Sequence, residues 1–151
     1  MMSHENKYMV GMSGEYFVVA ELLRKGVKAS ITMGNAKSAD IVVLNNDASK
    51  VVVVEVKSSH KKEWVVGNEI PQDNDQPWVF VHIPDNNDQP RYFILTSKEL
   101  NKILRIYDEE YNEHFLKSHG NPFTGKGVVK IKFVDVEEYE KKWSSIIDRV
   151  S

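Results

Sequence analysis

The sequence predicts an α/β fold. A helix-period segment stops at a glycine, three β-branched runs follow with turn residues between them, and two apolar strands lead into a long amphipathic segment. Helices and strands patterned in this way bury their apolar sides by packing against one another.

The first helix spans Gly11 to Arg24, where Phe17, Val18, Val19, Leu22 and Leu23 recur at helical spacing and Gly26 sits where a C-terminal cap belongs. Ala29 to Met33 reads as a short strand, Gly34 to Ser38 as a turn, and Ile41 to Leu44 as a second strand. Asn45-Asn46-Asp47 turns the chain into a third strand, Lys50 to Lys57, which makes a helix followed by a three-stranded meander. Ser58 to Pro77 is polar and interrupted, with one strand signal at Trp64-Val65-Val66. Turn residues before Trp78 to Ile83 and again before Tyr92 to Leu95 predict a hairpin. Thr96 or Ser97 caps a helix from Lys98 to about His119, with Leu100, Ile103, Leu104 and Tyr107 on its apolar face. Val128 to Val134 reads as a strand and Val136 to Val150 as a closing helix. Nothing in the 151 residues marks a linker, so one domain, residues 1–151, is expected.

Composition narrows the function classes. There is no cysteine, which excludes disulfides, thiolate zinc sites and cysteine nucleophiles. No apolar run approaches the ~18 residues of a membrane span, and Met1 to Val10 lacks the layout of a signal peptide. No membrane association and a cytoplasmic location are therefore expected. The net charge of −2, with no basic stripe, argues against tight nonspecific nucleic-acid binding over the whole surface. A nucleic-acid contact would have to be a local patch or act through a bound cation.

Chemistry concentrates in Asp40 and Glu55-Val56-Lys57. Alternate residues of a strand share a face, so Glu55 and Lys57 point one way and Val56 the other. A hairpin through Asn45-Asn46-Asp47 brings residues 40 and 55 roughly opposite each other, so two carboxylates and an ammonium converge at one sheet edge. Magnesium takes hard oxygen ligands and keeps several waters, so one or two carboxylates hold it against a phosphate. Such a cation polarises a phosphodiester and acidifies a coordinated water. Asp40 and Glu55, with the backbone carbonyl of Val56, are the expected magnesium ligands, and manganese is an expected substitute. Lys57 is the cation that orients water or meets developing negative charge. Glu15 shares a helical stripe with Val18, Val19 and Leu22, where a carboxylate is costly unless a metal or Lys57 meets it.

The order Gly14-Glu15 in a first helix, then Ser38-Ala39-Asp40, then Glu55-Val56-Lys57-Ser58, resembles the PD-(D/E)XK nuclease superfamily, and most closely its small members related to restriction endonucleases and Holliday-junction resolvases. The specific resemblance covers about residues 11 to 60. It implies a restriction-endonuclease-like αβββαβ core with a mixed central sheet flanked by helices. It also implies Asp40 and Glu55 as metal ligands, Lys57 as the catalytic lysine and Glu15 as the helix carboxylate. Ala39 stands where the motif's proline would be, and the helical signal usual after the lysine is weak here.

Simpler readings stand beside these. An Asp at a strand start and a Glu-x-Lys at a strand end also make surface salt bridges, and an acid near a helix start is favoured by the helix dipole. Ser58, His60, Lys61 and Lys62 follow the motif and are the expected substrate contacts, with Trp64 a stacking platform. A solvated loop histidine is the better reading of His60, and solvated lysines and a core tryptophan account at least as well for Lys61, Lys62 and Trp64. Gly120 to Gly127 nearly spells a P-loop, but Gly127 replaces its Ser or Thr and a strand follows where a helix is needed. The Asp73/Asp75 and Asp85/Asp88 pairs lack the Gly and Glu of a calcium loop, and the five histidines have no metal-ligand spacing. His82 is expected to be a packed residue, and Asp108 to Glu113 the wet face of a helix.

The function expected is magnesium-dependent DNA endonuclease activity, carried out by a homodimer because two cuts need two sites, with a protein partner or DNA shape supplying selectivity. The alternative is a noncatalytic module that binds nucleic acid or protein.

Overall fold

The computed structural model describes residues 4–32, 39–125 and 127–151, with side chains from residue 6 onward. Met33, the Gly34–Ser38 turn and Lys126 lie outside the described residues.

The chain runs α1 (His4–Arg24), β1 (Lys28–Ile31), β2 (Ile41–Leu44), β3 (Val51–Ser59), β4 (Glu63–Gly67), β5 (Pro77–His82), β6 (Arg91–Thr96), α2 (Ser97–His119) and β7 (Val129–Lys132). Three short helical turns follow, α3 (Phe133–Val136), a 3-10 turn (Glu137–Tyr139) and α4 (Ser144–Ile147). Five strands form one mixed sheet in the order β1-β2-β3-β5-β6, parallel between β3 and β5 and antiparallel elsewhere. β4 and β7 pair in a separate two-stranded sheet.

Side-chain alternation divides the core between the two faces of the large sheet. Val52, Val54, Val56, Val79, Val81, Tyr92 and Ile94 point toward α1, where Val18 and Leu22 meet them, with Trp143, Ile146 and Val150 from the C-terminal turns. Trp78, Phe80, Phe93 and Leu95 point the other way, onto Leu100 and Leu104 of α2 and onto Trp64, Val66 and Ile131 of the small sheet. All six residues of β5 are buried, as a central strand covered on both faces requires.

α2 is capped by Thr96, whose hydroxyl accepts the Glu99 N–H at 3.2 Å while Glu99 accepts the Thr96 N–H at 3.0 Å. Gly120, at φ 76°, ends it in the left-handed region. Only its first turns are buried, through Ser97, Leu100, Asn101 and Leu104. Asp108 to Glu113 is exposed.

Three elements depart from expectation. α1 begins at His4, about two turns before Gly11, because His4 to Met9 holds no proline or glycine to stop it and Val10 has a core to enter. The connection from β3 to the parallel strand β5 carries β4 and an irregular loop in place of a helix. Trp64 and Val66 fill the face that such a helix would cover. The expected closing helix, Val136 to Val150, is broken: Glu140 is extended, Lys141 takes φ 58°, and the Lys141 N–H donates to the Tyr92 carbonyl at 2.9 Å. Arg91 grips Glu140 through two hydrogen bonds of 2.8 and 2.7 Å, and Trp143 packs on Tyr92. Binding to the edge strand β6 outweighs helical spacing there.

Candidate active site

The β2–β3 register pairs Ile41 with Val54, so one step further Asp40 stands opposite Glu55. The Asp40 N–H donates to the Val54 carbonyl at 3.0 Å, and Asp40 Oδ2 accepts the Val56 N–H at 2.9 Å. Asp40 thus continues the ladder with its side chain where β2 has run out. In a strand a residue's N–H and carbonyl project to the same side, so the Val56 carbonyl also faces this end of β2.

Glu55 and Lys57 share the opposite face from Val56. Lys57 Nζ lies 3.4 Å from Glu55 Oε1 and 5.9 Å from the Trp78 ring centroid. Glu55 is 9 % exposed, and its second oxygen, Oε2, is buried with no hydrogen-bond partner among the described residues. Burial and then the Asp40 charge push the Glu55 carboxyl above its ordinary range, and Lys57 only partly offsets them. The ion pair is therefore the weaker influence on Glu55.

Glu15 completes the group from α1. Its pKa is pushed up to about 7, first by burial and then by the charges of Asp40 and Glu55. Since α1 starts at His4, Glu15 lies in the helix interior, beyond the first turn over which the helix dipole favours an acid. The dipole reading of Glu15 is thereby removed. Gly14 lets the helix approach: a Cβ there would fall 1.6 Å from Ser58 Oγ and 2.7 Å from Ser58 Cβ. Ser58 Oγ is itself buried without a partner among the described residues.

The residues after the motif separate. His60 is anchored, with Nδ1 at 2.8 Å from the Ile83 carbonyl and 3.2 Å from Asp85 Oδ1. Ser58, His60 and Lys61 line a cleft of about 990 Å³ together with Lys57. Lys62 turns away, its Nζ 5.4 Å from the Phe133 ring centroid. Trp64 is no stacking platform: it is 2 % exposed, donates its indole N–H to the Val81 carbonyl at 3.0 Å, and packs against Phe80, Phe93 and Phe133. His82 is packed, with Nδ1 3.1 Å from the Lys61 carbonyl. Glu21, elsewhere on α1, is paired with Arg24 and Lys25 at 3.0 and 3.5 Å. Sequence reading missed Lys7, Lys130, Glu63 and Asp85, which line the same cleft but stand far apart in sequence and belong to no motif.

As for metal binding, no three carboxylate or imidazole side chains among the described residues close on one ligating point. A divalent ion here would draw on two carboxylates, a backbone carbonyl and water. That donor set suits magnesium, which retains much of its hydration. The buried Glu55 Oε2 and the mutual repulsion of Asp40, Glu55 and Glu15 also fit a cation.

No helix among the described residues is long and apolar enough to cross a membrane. No family model matches the chain, and no curated protein matches it. Solved structures do. The Holliday junction resolvase Hjc of the archaeal hyperthermophile Archaeoglobus fulgidus is similar with a TM-score of 0.51 at 15% identity, over 89% of this chain and 94% of that one. The bacterial homing endonuclease I-Ssp6803I is similar with a TM-score of 0.56 at 14% identity, over 93% of each chain. At such identities the likeness shows the fold: this chain has the mixed α/β fold of the PD-(D/E)XK nucleases.

Proposed function

We propose that this chain is a magnesium-dependent DNA endonuclease that hydrolyses phosphodiester bonds, with manganese able to substitute. The observation that carries the reading is a buried Glu55 oxygen that has no partner among the described residues, on a carboxylate that stands opposite Asp40 in the strand register and within reach of the Glu15 charge. Leaving one such oxygen unsatisfied costs roughly 1–3 kcal/mol. Added carboxylates make the cost larger, and Lys57 alone does not return Glu55 to its ordinary range. A fold that keeps this arrangement is suited to a cation.

Asp40, Glu55 and the Val56 carbonyl would hold the magnesium, which when bound supplies Lewis-acid polarisation of the phosphodiester and a more acidic water. Asp40 is oriented for this by the Val56 N–H. Lys57 stands beside Glu55 on the exposed side and meets negative charge developing on the phosphate. Glu15, which α1 brings within range of the Asp40 and Glu55 charges, would help arrange the attacking water and the metal. Two cuts call for two such sites, so the active form is proposed to be a homodimer, with selectivity supplied by a protein partner or by DNA shape. Its place is proposed to be the cytoplasm.

One observation favours a second reading. The Glu55–Lys57 pair at 3.4 Å places a cation beside the buried carboxylate without any metal, as a noncatalytic module that binds nucleic acid or protein would retain it. The two separate by incubating the purified protein with linear, supercoiled and branched DNA in magnesium or manganese, beside Asp40→Ala and Glu55→Ala. Cleavage lost in both variants supports the endonuclease. No cleavage of any form, with unchanged DNA or partner binding in the variants, supports the module.

A further inference from the structure

We infer that the cleft leading from Lys57 to Lys7 and Lys130 anchors the phosphate backbone of bound DNA beside the proposed cleavage position, independently of base sequence, with Glu63 restraining its affinity. The inference rests on the nucleic-acid part of the proposed function and extends it to residues outside the motif.

Four lysines converge on the cleft from separate elements: Lys7 from α1, Lys57 from β3, Lys61 from the β3–β4 turn and Lys130 from β7. The chain as a whole carries −2, so this gathering is local, which is one of the two forms a phosphate contact can take on a protein without a basic stripe. Two acids also line it. Asp85 lies 3.2 Å from His60 Nδ1, and Glu63 lies 3.8 Å from Lys130 Nζ. Among the described residues no ion pair involves Lys7 or Lys61. Their ammonium groups are thus available to a phosphate, while Lys130 is partly neutralised by Glu63.

The cleft has little with which to read bases. Trp64 lines it, but its ring is buried among three phenylalanines and its N–H is committed to a backbone carbonyl. Lysine ammonium groups act on phosphates as point charges that position DNA and carry no sequence information.

The test is binding of two unrelated fluorescent duplexes of equal length, measured by anisotropy in EDTA across a salt series, with thermal melting of each variant as a check on folding. Lys7→Ala and Lys61→Ala should weaken binding of both duplexes equally. Each should lower the slope of log affinity against log salt by roughly 0.9, so that a fourfold rise in salt costs the variant about threefold less affinity than it costs wild type. Glu63→Gln should bind both duplexes more tightly and with a steeper salt slope, because Lys130 is released; a merely structural Glu63 would not produce that gain. Unchanged affinity and slope in both lysine variants overturns the inference, as does a loss confined to one duplex or no duplex binding by wild type. Because no metal is present, the outcome is independent of catalysis. Cleavage that survives Asp40→Ala would sink the endonuclease reading and leave the cleft result standing, whereas flat lysine variants with intact magnesium-dependent cleavage would do the reverse.

Discussion

Asp40 accepts the backbone N–H of Val56 through Oδ2 at 2.9 Å, so the side chain that ends one strand also continues the hydrogen-bond ladder of the next. The carboxylate is held in place by a group that would otherwise lose its partner, and it faces Glu55 as a consequence. Structure and chemistry at position 40 can therefore be separated by substitution. Asp40→Asn keeps an oxygen to accept the N–H and removes the charge. It should abolish cleavage while the melting temperature stays level or rises, since repulsion from Glu55 and Glu15 falls. Asp40→Ala should abolish cleavage and also cost about 1–2 kcal/mol through the lost acceptor. Cleavage assays paired with thermal melts check this, and equal melting temperatures for the two variants would contradict it.

Glu15 should make the metal-free protein less stable as pH rises. Its carboxyl pKa goes from an ordinary 4.5 up to about 7 on folding, by burial and then by Asp40 and Glu55. The folded state therefore binds the proton more tightly than the unfolded chain does. The stabilisation is complete below pH 4.5 and is lost as pH climbs to about 7. Glu55, also raised, acts with the same sign. Glu15→Gln should flatten the fall and be more stable than wild type at pH 8 in EDTA, as followed by urea unfolding at several pH values. An unchanged pH profile would show that Glu15 is solvated.

Lys57→Met should reduce cleavage by roughly 10²–10³, the scale of losing one preorganised charge-stabilising group. DNA affinity in EDTA should change far less than the rate, because Lys57 is one of four lysines in the cleft. Single-turnover rates alongside binding titrations give both numbers, and a rate loss matched by an equal affinity loss would assign Lys57 to binding alone.

Gly14→Ala should destabilise the protein even though alanine is the better helix former by about 1 kcal/mol. The new Cβ would overlap Ser58 Oγ and Cβ, and overpacking of this kind costs about 1–3 kcal/mol. Ser58→Gly removes both atoms, so the double variant should recover much of the loss. A double-mutant cycle of unfolding free energies measures it, and strictly additive effects would mean that α1 and β3 do not meet there.

Trp64→Ala should cost about 3–5 kcal/mol, as expected for a large aromatic removed from a core. Trp64→Phe should lose the indole hydrogen bond to Val81 and part of the packing, a smaller loss than Trp64→Ala, and keep full DNA affinity. A fall in affinity with Trp64→Phe, read by anisotropy, would restore the stacking role that its burial argues against.

Much was legible locally. The α1 stripe of Val18, Leu22 and Glu15, the Thr96–Glu99 cap and the β-branched runs of β2 and β3 all rest on periodicity or short-range chemistry within a few residues. The Asp40–Glu55 juxtaposition was legible because one hairpin and its period-two alternation suffice to place it. What the sequence by itself determined about this protein was therefore the α/β class, the order of its main elements and the four charged residues that meet. Tertiary structure decided the rest, because the deciding partners are distant along the chain. Lys141 bends away from helical geometry to bond Tyr92, Trp64 is buried by the approach of β5, β6 and α3, and Lys7 and Lys130 come to line one cleft only once α1 and β7 are in place. Local propensities amount to about 1 kcal/mol per residue or less, whereas burying a large apolar side chain contributes about 1.5–3 kcal/mol, so where the two conflict the long-range contact sets the structure.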